Sequence, residues 1–176
     1  GCADVICTDK TGTLTTNRME VTALWCGGKM LMTGDKDVGQ LSRFSEGREA
    51  LIVFTLCSDV SENASGIYQG DPTETALCRA ADGAGLVRRE LMRVSPRIDE
   101  IPFDSVRKRM SVIVRKNGER FLLCKGGCDC LLDRCSRIRM GETTLPLSPE
   151  LRKKVTAACE EMAGKGLRVL AAAEKT

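Results

Sequence analysis

The sequence predicts an α+β fold in which an antiparallel sheet is flanked by helices. Apolar and polar residues alternate on both sides of Asn117-Gly118, which is the pattern of a β-hairpin with a tight turn. Helix start signals, in which Pro follows a capping residue, occur at Asp71-Pro72 and at Ser148-Pro149. At the first of these, Glu74 completes the spacing of a capping box with Asp71. Helices and antiparallel hairpins mixed along one chain favour the α+β class.

The elements follow in chain order. A run of β-branched residues up to Thr8 predicts a buried strand, and a polar loop that starts at Asp9 follows the end of this strand. Gly27-Gly28 predicts a hairpin turn between two short strands. Hydrophobic spacing, caps and terminal glycines predict the helices, at residues 48–58, 72–83, 86–94, 128–135 and 149–164. Residues 167–171 are predicted to be a final strand.

Composition limits the classes of function. The chain has 176 residues, of which 42% are apolar and 29% charged, so we expect one domain, or one domain plus a fragment of another, with a substantial core. Its 27 basic and 24 acidic residues are too evenly balanced to indicate binding to nucleic acid or a membrane surface. No stretch approaches the ~20 apolar residues of a membrane helix, and we expect a soluble piece cut from a larger protein.

Ten cysteines and no histidine are present. We expect reduced thiols in a reducing compartment, with several acting as small buried apolar residues: Cys57, Cys78, Cys124 and Cys159. A zinc-structured interaction domain is an alternative, based on Cys124, Cys128, Cys130 and Cys135. This group lacks paired C-x-x-C spacing and any histidine, which favours structural thiols over a metal site.

The loop at Asp9 has the strongest chemical signal. A carboxylate that follows a buried strand is fixed in place and can attack phosphorus as a nucleophile. Gly12 permits a tight backbone, and the hydroxyls of Thr11 and Thr13 can donate to phosphoryl oxygens. In phosphatases of the haloacid dehalogenase type, a second Asp stands two residues after the nucleophile. Thr11 occupies that position here, which predicts slow hydrolysis of an aspartyl phosphate.

This loop resembles the phosphorylation motif of P-type ATPases, in the run Ile6-Cys7-Thr8-Asp9-Lys10-Thr11-Gly12-Thr13-Leu14-Thr15-Thr16-Asn17. The resemblance implies that residues 1–18 are a fragment of a haloacid-dehalogenase-like phosphorylation domain with its hinge, and that residues 19–176 are the nucleotide-binding domain. It also implies that ATP phosphorylates Asp9, with Lys10 and Thr11 in the catalytic set and Mg²⁺ held at Asp9 and Thr11.

Later segments resemble the same family and imply the nucleotide contacts. Gly70-Asp71-Pro72-Thr73-Glu74 is similar to the segment whose Glu contacts the adenine amino group, here Glu74. Residues 102–111 are similar to the strand that stacks an aromatic ring on adenine, here Phe103, and whose Lys108 approaches the phosphates.

Two further segments complete this implied pocket. Lys125-Gly126-Gly127 resembles the Lys-Gly-Ala-Pro box, which implies that Lys125 and Gly126 lie on the pocket floor, and residues 166–171 resemble the strand whose Arg168 reaches the nucleotide. Two positions depart from the family pattern: Gly127-Cys128 replaces Ala-Pro, and Ser105 replaces the usual Arg. No Walker-type loop occurs, so cations are expected to hold the phosphates.

The resemblance implies an ATP-hydrolysing ion translocase, of which this chain is a cytosolic part that contacts neither membrane nor nucleic acid. The transported cation would cross a membrane domain outside the chain, and the chain alone is expected to be inactive. Residues 15–19 and the Lys125 box look most like the calcium-pump branch, while sodium, potassium, magnesium and proton pumps stay open. A free-standing haloacid-dehalogenase-like phosphatase and a nucleotide-binding module without chemistry are the alternatives.

Overall fold

A computed structural model of the chain describes residues 16, 18–32 and 44–176. The predicted strand before Asp9, the reactive loop with Lys10 and Thr11, and the family motif up to Thr15 lie outside the described residues. The described elements are, in chain order, β1 (Ala23–Cys26), β2 (Lys29–Met32), α1 (Ser45–Leu56), β3 (Ser61–Glu62), β4 (Tyr68–Gln69), α2 (Pro72–Gly83), α3 (Arg88–Val94), β5 (Arg97–Asp104), β6 (Arg109–Lys116), β7 (Glu119–Gly126), α4 (Cys128–Leu132), β8 (Arg137–Met140), β9 (Thr143–Pro146), α5 (Pro149–Gly164) and β10 (Ala171–Lys175).

The main sheet has four antiparallel strands in the order β10-β7-β6-β5. The turn between β6 and β7 has positive φ at Asn117 (53°) and Gly118 (84°), which is the type I′ geometry that the Asn-Gly signal predicts. The other described strands form three separate two-stranded hairpins, β1-β2, β3-β4 and β8-β9. The α+β class with an antiparallel sheet flanked by helices is therefore confirmed.

The core lies between helix α1 and the middle of the sheet. Apolar residues of α1 and its C-terminus pack on β6 and β7, with Val53, Leu56 and Cys57 on one side and Met110, Val112, Val114 and Leu123 on the other. A second core joins α1 to α2 through Leu51, Ala80, Ala81 and Leu86. This packing brings the C-terminal end of α1 and the N-terminal end of α2 to the same end of the sheet.

Several element boundaries differ from the predicted ones. Helix α1 covers Ser45–Leu56 rather than 48–58, and α4 ends at Leu132 rather than at 135. The prediction of a strand at 167–171 is wrong in its bounds, because β10 begins at Ala171 and continues to Lys175. Ala171 pairs with Gly126, the last residue of β7, so a strand that started earlier would have no neighbour in the ladder.

The cysteine prediction needs one correction. Cys128 and Cys159 form a disulfide between α4 and α5, so the expectation of free thiols is wrong for these two residues. The expectation of buried apolar thiols is confirmed for Cys57, Cys78 and Cys124. Among the residues that the structure describes, no group of three or more Cys, His, Asp or Glu side chains is placed to hold a metal ion, and no helix is long and apolar enough to cross a membrane.

Candidate nucleotide-binding site

An ion pair lies at the end of the sheet where α1 finishes and α2 starts. Lys125 Nζ is 2.5 Å from Glu74 Oε1, and the side chains are only 7% and 16% exposed. A pair so enclosed is weakly screened by solvent, so each group depends on the other for compensation of its charge. These are two of the residues that the family resemblance implies for the nucleotide.

The sheet register fixes where the Lys125 side chain points. Lys125 of β7 pairs directly with Met110 of β6, and directly opposed residues in an antiparallel pair share a face of the sheet. Met110 belongs to the core that packs on α1. The lysine therefore extends from the core face of the sheet toward the C-terminal end of α1, where its ammonium also donates to Ser58 Oγ at 3.2 Å.

Glu74 occupies the first turn of α2. The Asp71 carboxylate caps this helix, accepting from the backbone N–H of Thr73 at 2.8 Å and of Glu74 at 3.3 Å, as the sequence predicts. The second half of the predicted capping box is absent, because the Glu74 side chain turns toward the sheet. Its Oε2 accepts from the backbone N–H of Asp59 at 2.7 Å and its Oε1 from Lys125. The carboxylate thus belongs to a tertiary contact rather than to the helix terminus.

Ser58 and Asp59 are site residues that sequence reasoning missed. They follow the C-terminus of α1 and contact both members of the ion pair. Ser58 is completely buried, and its hydroxyl donates to the Phe54 carbonyl at 2.7 Å. The only sequence signal for them is a polar pair directly after the apolar run of α1, which is also what any helix end looks like.

Close packing of the backbone explains why position 126 holds a glycine. A Cβ at this position would lie 2.5 Å from the Lys108 carbonyl oxygen and 2.5 Å from Arg109 Cβ. The next residue, Gly127, donates its backbone N–H to the same Lys108 oxygen at 3.0 Å. The glycines of the Lys125-Gly126-Gly127 box therefore let the backbone that carries Lys108 approach the backbone that carries Lys125.

Lys108 has an exposed side chain, and its backbone has a positive φ angle, which is uncommon for a residue other than glycine. Its φ is +52°, and its backbone N–H donates to the Asp104 carbonyl at 2.7 Å, which closes the turn between β5 and β6. Lys108 Nζ is 3.6 Å from Asp129 Oδ2, and both side chains are more than half exposed, at 60% and 70%. The backbone N–H of Cys130, followed by the Lys108 ammonium, lowers the pKa of the Asp129 carboxyl.

Phe103 lies in an irregular part of the edge strand β5. Ile101 pairs with Ser111 and Asp104 with Arg109, so the stretch of β5 that contains Phe103 is one residue longer than the β6 stretch opposite. Such bulges redirect side chains away from the regular alternation. The Phe103 ring is 64% exposed, which excludes a role as a core aromatic residue. Ser105, which replaces the usual Arg, is an exposed residue of the following turn.

Arg168 contacts the helix that carries Glu74. Its Nη1 donates to Thr73 Oγ1 at 2.6 Å, one residue before the glutamate. The guanidinium therefore reaches the N-terminal turn of α2 from the segment that precedes β10. Of the described residues named from the sequence, Glu74, Lys125, Gly126 and Arg168 meet directly or through neighbours, and Lys108 and Phe103 lie at the same end of the sheet.

A cavity of about 1250 Å³ lies next to these residues. Its wall is mostly apolar and includes residues of α1, α5, β1 and β10. Thr73 and Arg168 lie on its border, but Glu74, Lys125 and Phe103 do not line it. The candidate site therefore lies beside this cavity, at the surface of one end of the sheet, where Phe103 is exposed and the Glu74–Lys125 pair is largely buried.

This surface combines the groups that a purine nucleotide requires. An exposed aromatic ring can stack on a base, and a carboxylate held by a cation can accept a hydrogen bond from an exocyclic amine. The exposed Lys108 and the Arg168 guanidinium supply positive charge for phosphates. No described part of this surface is a glycine-rich phosphate loop.

Comparison with known proteins identifies the family of the chain. Residues 48–176 match the family model described as P-type ATPase, cytoplasmic domain N. The calcium-transporting ATPase 1 of Lactococcus lactis is 39% identical over 99% of this chain and 19% of that protein. A calcium-transporting ATPase of Bacillus subtilis is 34% identical over 98% of the chain and 21% of that protein. The sodium/potassium-transporting ATPase subunit alpha-A of Artemia franciscana is 33% identical over 97% and 18%.

The chain spans about a fifth of the length of the curated relatives that it matches. The family match nevertheless covers most of the chain, including most of α1, all of α2 and every strand of the main sheet. The chain therefore belongs to the P-type ATPases, and residues 48–176 form their cytoplasmic domain N.

Proposed function

We propose that this chain is the ATP-binding cytosolic portion of an integral membrane P-type ATPase that translocates a cation. The observation that carries the proposal is the Glu74–Lys125 pair at 2.5 Å, placed at the same end of the sheet as the exposed Phe103 ring. In this arrangement Phe103 stacks on adenine and Glu74 accepts from its amino group. Lys125 and Gly126 form the floor, and Lys108 and Arg168 face the phosphates.

The reaction proposed for the whole protein is phosphoryl transfer to Asp9. A carboxylate oxygen of Asp9 bonds to the γ-phosphorus as the bond to the β–γ bridging oxygen breaks, so ADP leaves and an aspartyl phosphate remains. Lys10 and Thr11 would belong to the catalytic set beside Asp9, and Asp9 and Thr11 would hold Mg²⁺, which neutralises phosphate charge when it is bound. These residues lie outside the described part of the chain. Hydrolysis of the aspartyl phosphate would then drive transport.

Calcium is the proposed cation. Several relatives at 34–39% identity are named calcium-transporting ATPases, whereas the sodium/potassium-transporting relatives are 32–33% identical. The ion ligands would lie in a membrane domain outside this chain. Uptake of radioactive calcium by vesicles that contain the full-length protein, compared with an Asp9→Asn variant, tests this part. ATP-driven uptake of another cation instead of calcium would contradict it.

The nucleotide site is tested by calorimetric titration of the chain with ATP. Phe103→Ala is expected to weaken binding about tenfold, since stacking on a base contributes ~1–3 kcal/mol, and to leave stability unchanged because the ring is exposed. Lys125→Ala is expected to weaken binding as well. Val106→Ala is the matched control, because Val106 is 89% exposed in the turn that follows Phe103. A folded chain that binds no ATP at millimolar concentration would contradict the proposal.

A further inference from the structure

Two consecutive residues hold both members of the ion pair. Ser58 Oγ accepts from Lys125 Nζ at 3.2 Å, and the Asp59 backbone N–H donates to Glu74 Oε2 at 2.7 Å. The pair joins residues that are 51 positions apart, on β7 and α2. A short segment that contacts both partners therefore sets where the pair lies and how it is oriented.

The Ser58 hydroxyl has three polar neighbours: the Phe54 carbonyl, the Lys125 ammonium and the Cys78 thiol. Its one proton goes to the Phe54 carbonyl at 2.7 Å, so the oxygen offers only lone pairs to Lys125. An ammonium group has three donors and no acceptor, which makes this the complementary partner. Ser58 is completely buried, so water does not compete for the contact.

The backbone at Ser58 is anchored from the opposite side. Its carbonyl oxygen accepts from Arg88 Nη2 at 3.1 Å and from Arg97 Nη1 at 3.3 Å. Arg97 also contacts the Asp59 carboxylate at 3.0 Å and forms an ion pair with Glu100 of the edge strand β5. The segment that holds the ion pair is thereby tied to the strand that carries Phe103.

We infer that Ser58 is a positioning residue for adenine recognition, acting through Lys125 on Glu74. This inference rests on the proposed function, in which the Glu74 carboxylate accepts from the adenine amino group. A lysine has a flexible four-carbon stem, and one carboxylate partner leaves its ammonium free to rotate. The second contact, to Ser58, fixes the ammonium, and the fixed ammonium in turn holds Glu74 Oε1 in place.

The test compares two nucleotides that differ at the group Glu74 would read. Inosine triphosphate carries a 6-oxo group where ATP carries the 6-amino group, so it presents no donor to the carboxylate. The dissociation constants of both are measured by calorimetry for the chain and for Ser58→Ala. We expect Ser58→Ala to weaken ATP binding about tenfold, in line with loss of a hydrogen bond to a charged group. Inosine triphosphate binding should change much less, so the preference for ATP falls.

Three further variants separate positioning from stability. Ser58→Thr keeps the hydroxyl and should restore the preference for ATP. Ser58→Cys keeps the volume but is a weak acceptor, and it should not. Ser95→Ala is the matched control, since Ser95 is a buried serine (5% exposed) at the end of α3, and it should leave both affinities unchanged. The Thr and Cys variants decide the question if Ser58→Ala fails to fold.

The outcomes are distinguishable. A wild-type chain that binds neither nucleotide would overturn the proposed function and this inference with it. A wild-type chain that binds both equally would overturn the role of Glu74 toward the amino group, and therefore this inference, while ATP binding would stand. A wild-type chain that prefers ATP, with Ser58→Ala and Ser58→Cys retaining the same preference, would overturn the inference alone. Loss of preference in Ser58→Cys and its recovery in Ser58→Thr would support it.

Discussion

Glu74 and Lys125 close a 2.5 Å contact between the first turn of helix α2 and the last residues of strand β7. Neither side chain is more than 16% exposed. Because both charges are enclosed, removing one leaves the other without compensation, whereas removing both leaves only neutral groups.

The difference between removing one charge and removing both gives a prediction about stability. Lys125→Met should lower the free energy of unfolding by about 3 kcal/mol, because the Glu74 carboxylate loses its cation in a mostly buried position. The double variant Lys125→Met with Glu74→Gln should recover most of that loss. Urea unfolding followed by circular dichroism measures both. Equal stability of the single and double variants would contradict the explanation that an uncompensated Glu74 carboxylate destabilises the single variant.

The sequence predicts the members of this site better than it predicts their arrangement. Glu74 and Lys125 each stand in a recognisable motif, and the cap at Asp71 and the Asn117-Gly118 turn follow from local rules. The contact of Lys125 with Ser58 joins positions 67 apart and depends on how α1 packs on the sheet. No local sequence pattern predicts that packing.

The features that were predicted wrongly also depend on tertiary packing, which local sequence patterns do not show. The capping-box spacing assigns the Glu74 side chain to the helix terminus, but the buried Lys125 ammonium is the stronger attraction. The strand predicted at 167–171 begins at Ala171 because its position depends on where β7 ends, which is information from another part of the chain. Tertiary contacts thus override local preference at these positions.

Gly126 offers a test of the close approach between β6 and β7. Gly126→Ala should lower the free energy of unfolding by about 2–3 kcal/mol, because the new methyl group would overlap the Lys108 carbonyl oxygen and Arg109 Cβ, each at 2.5 Å. Gly164→Ala is the control, since Gly164 ends helix α5 with open space around its Cβ position. That substitution should stabilise the chain by ~0.5–1 kcal/mol. Thermal unfolding of the two variants, each compared with wild type, gives opposite signs if the packing is as described.

The disulfide gives a redox prediction. Cys128 and Cys159 are 31 positions apart, and closing a loop of this size restricts the unfolded chain enough to stabilise the fold by about 3–4 kcal/mol. Treatment with a phosphine reductant should therefore lower the urea midpoint of the wild-type chain. The double variant Cys128→Ser with Cys159→Ser should start at the lower midpoint and not respond to reductant. Cys130→Ser with Cys135→Ser, which removes two free thiols, should respond like wild type. A wild-type midpoint that reductant leaves unchanged would contradict the cross-link.

The buried thiol of Cys57 makes stability depend on alkaline pH. Burial raises the pKa of this thiol to about 12 from 9.0, although the nearby Lys125 ammonium acts to lower it. Above pH 9 the unfolded chain loses this proton while the folded chain keeps it, so the unfolded state binds fewer protons and the free energy of unfolding falls as pH rises. The contribution is fully present below pH 9 and is lost as the pH rises toward 12.

Urea unfolding at two pH values isolates this effect. Between pH ~8 and pH ~10.5, the chain should lose about 2 kcal/mol more than a Cys57→Ala variant. Any cavity left by the substitution costs the same at both pH values, so it cancels in the comparison. Both chains should carry Cys128→Ser and Cys159→Ser, because a thiolate released by unfolding would otherwise attack the disulfide. Parallel pH dependences in the two chains would mean that the Cys57 thiol ionises as readily in the folded state as in the unfolded one.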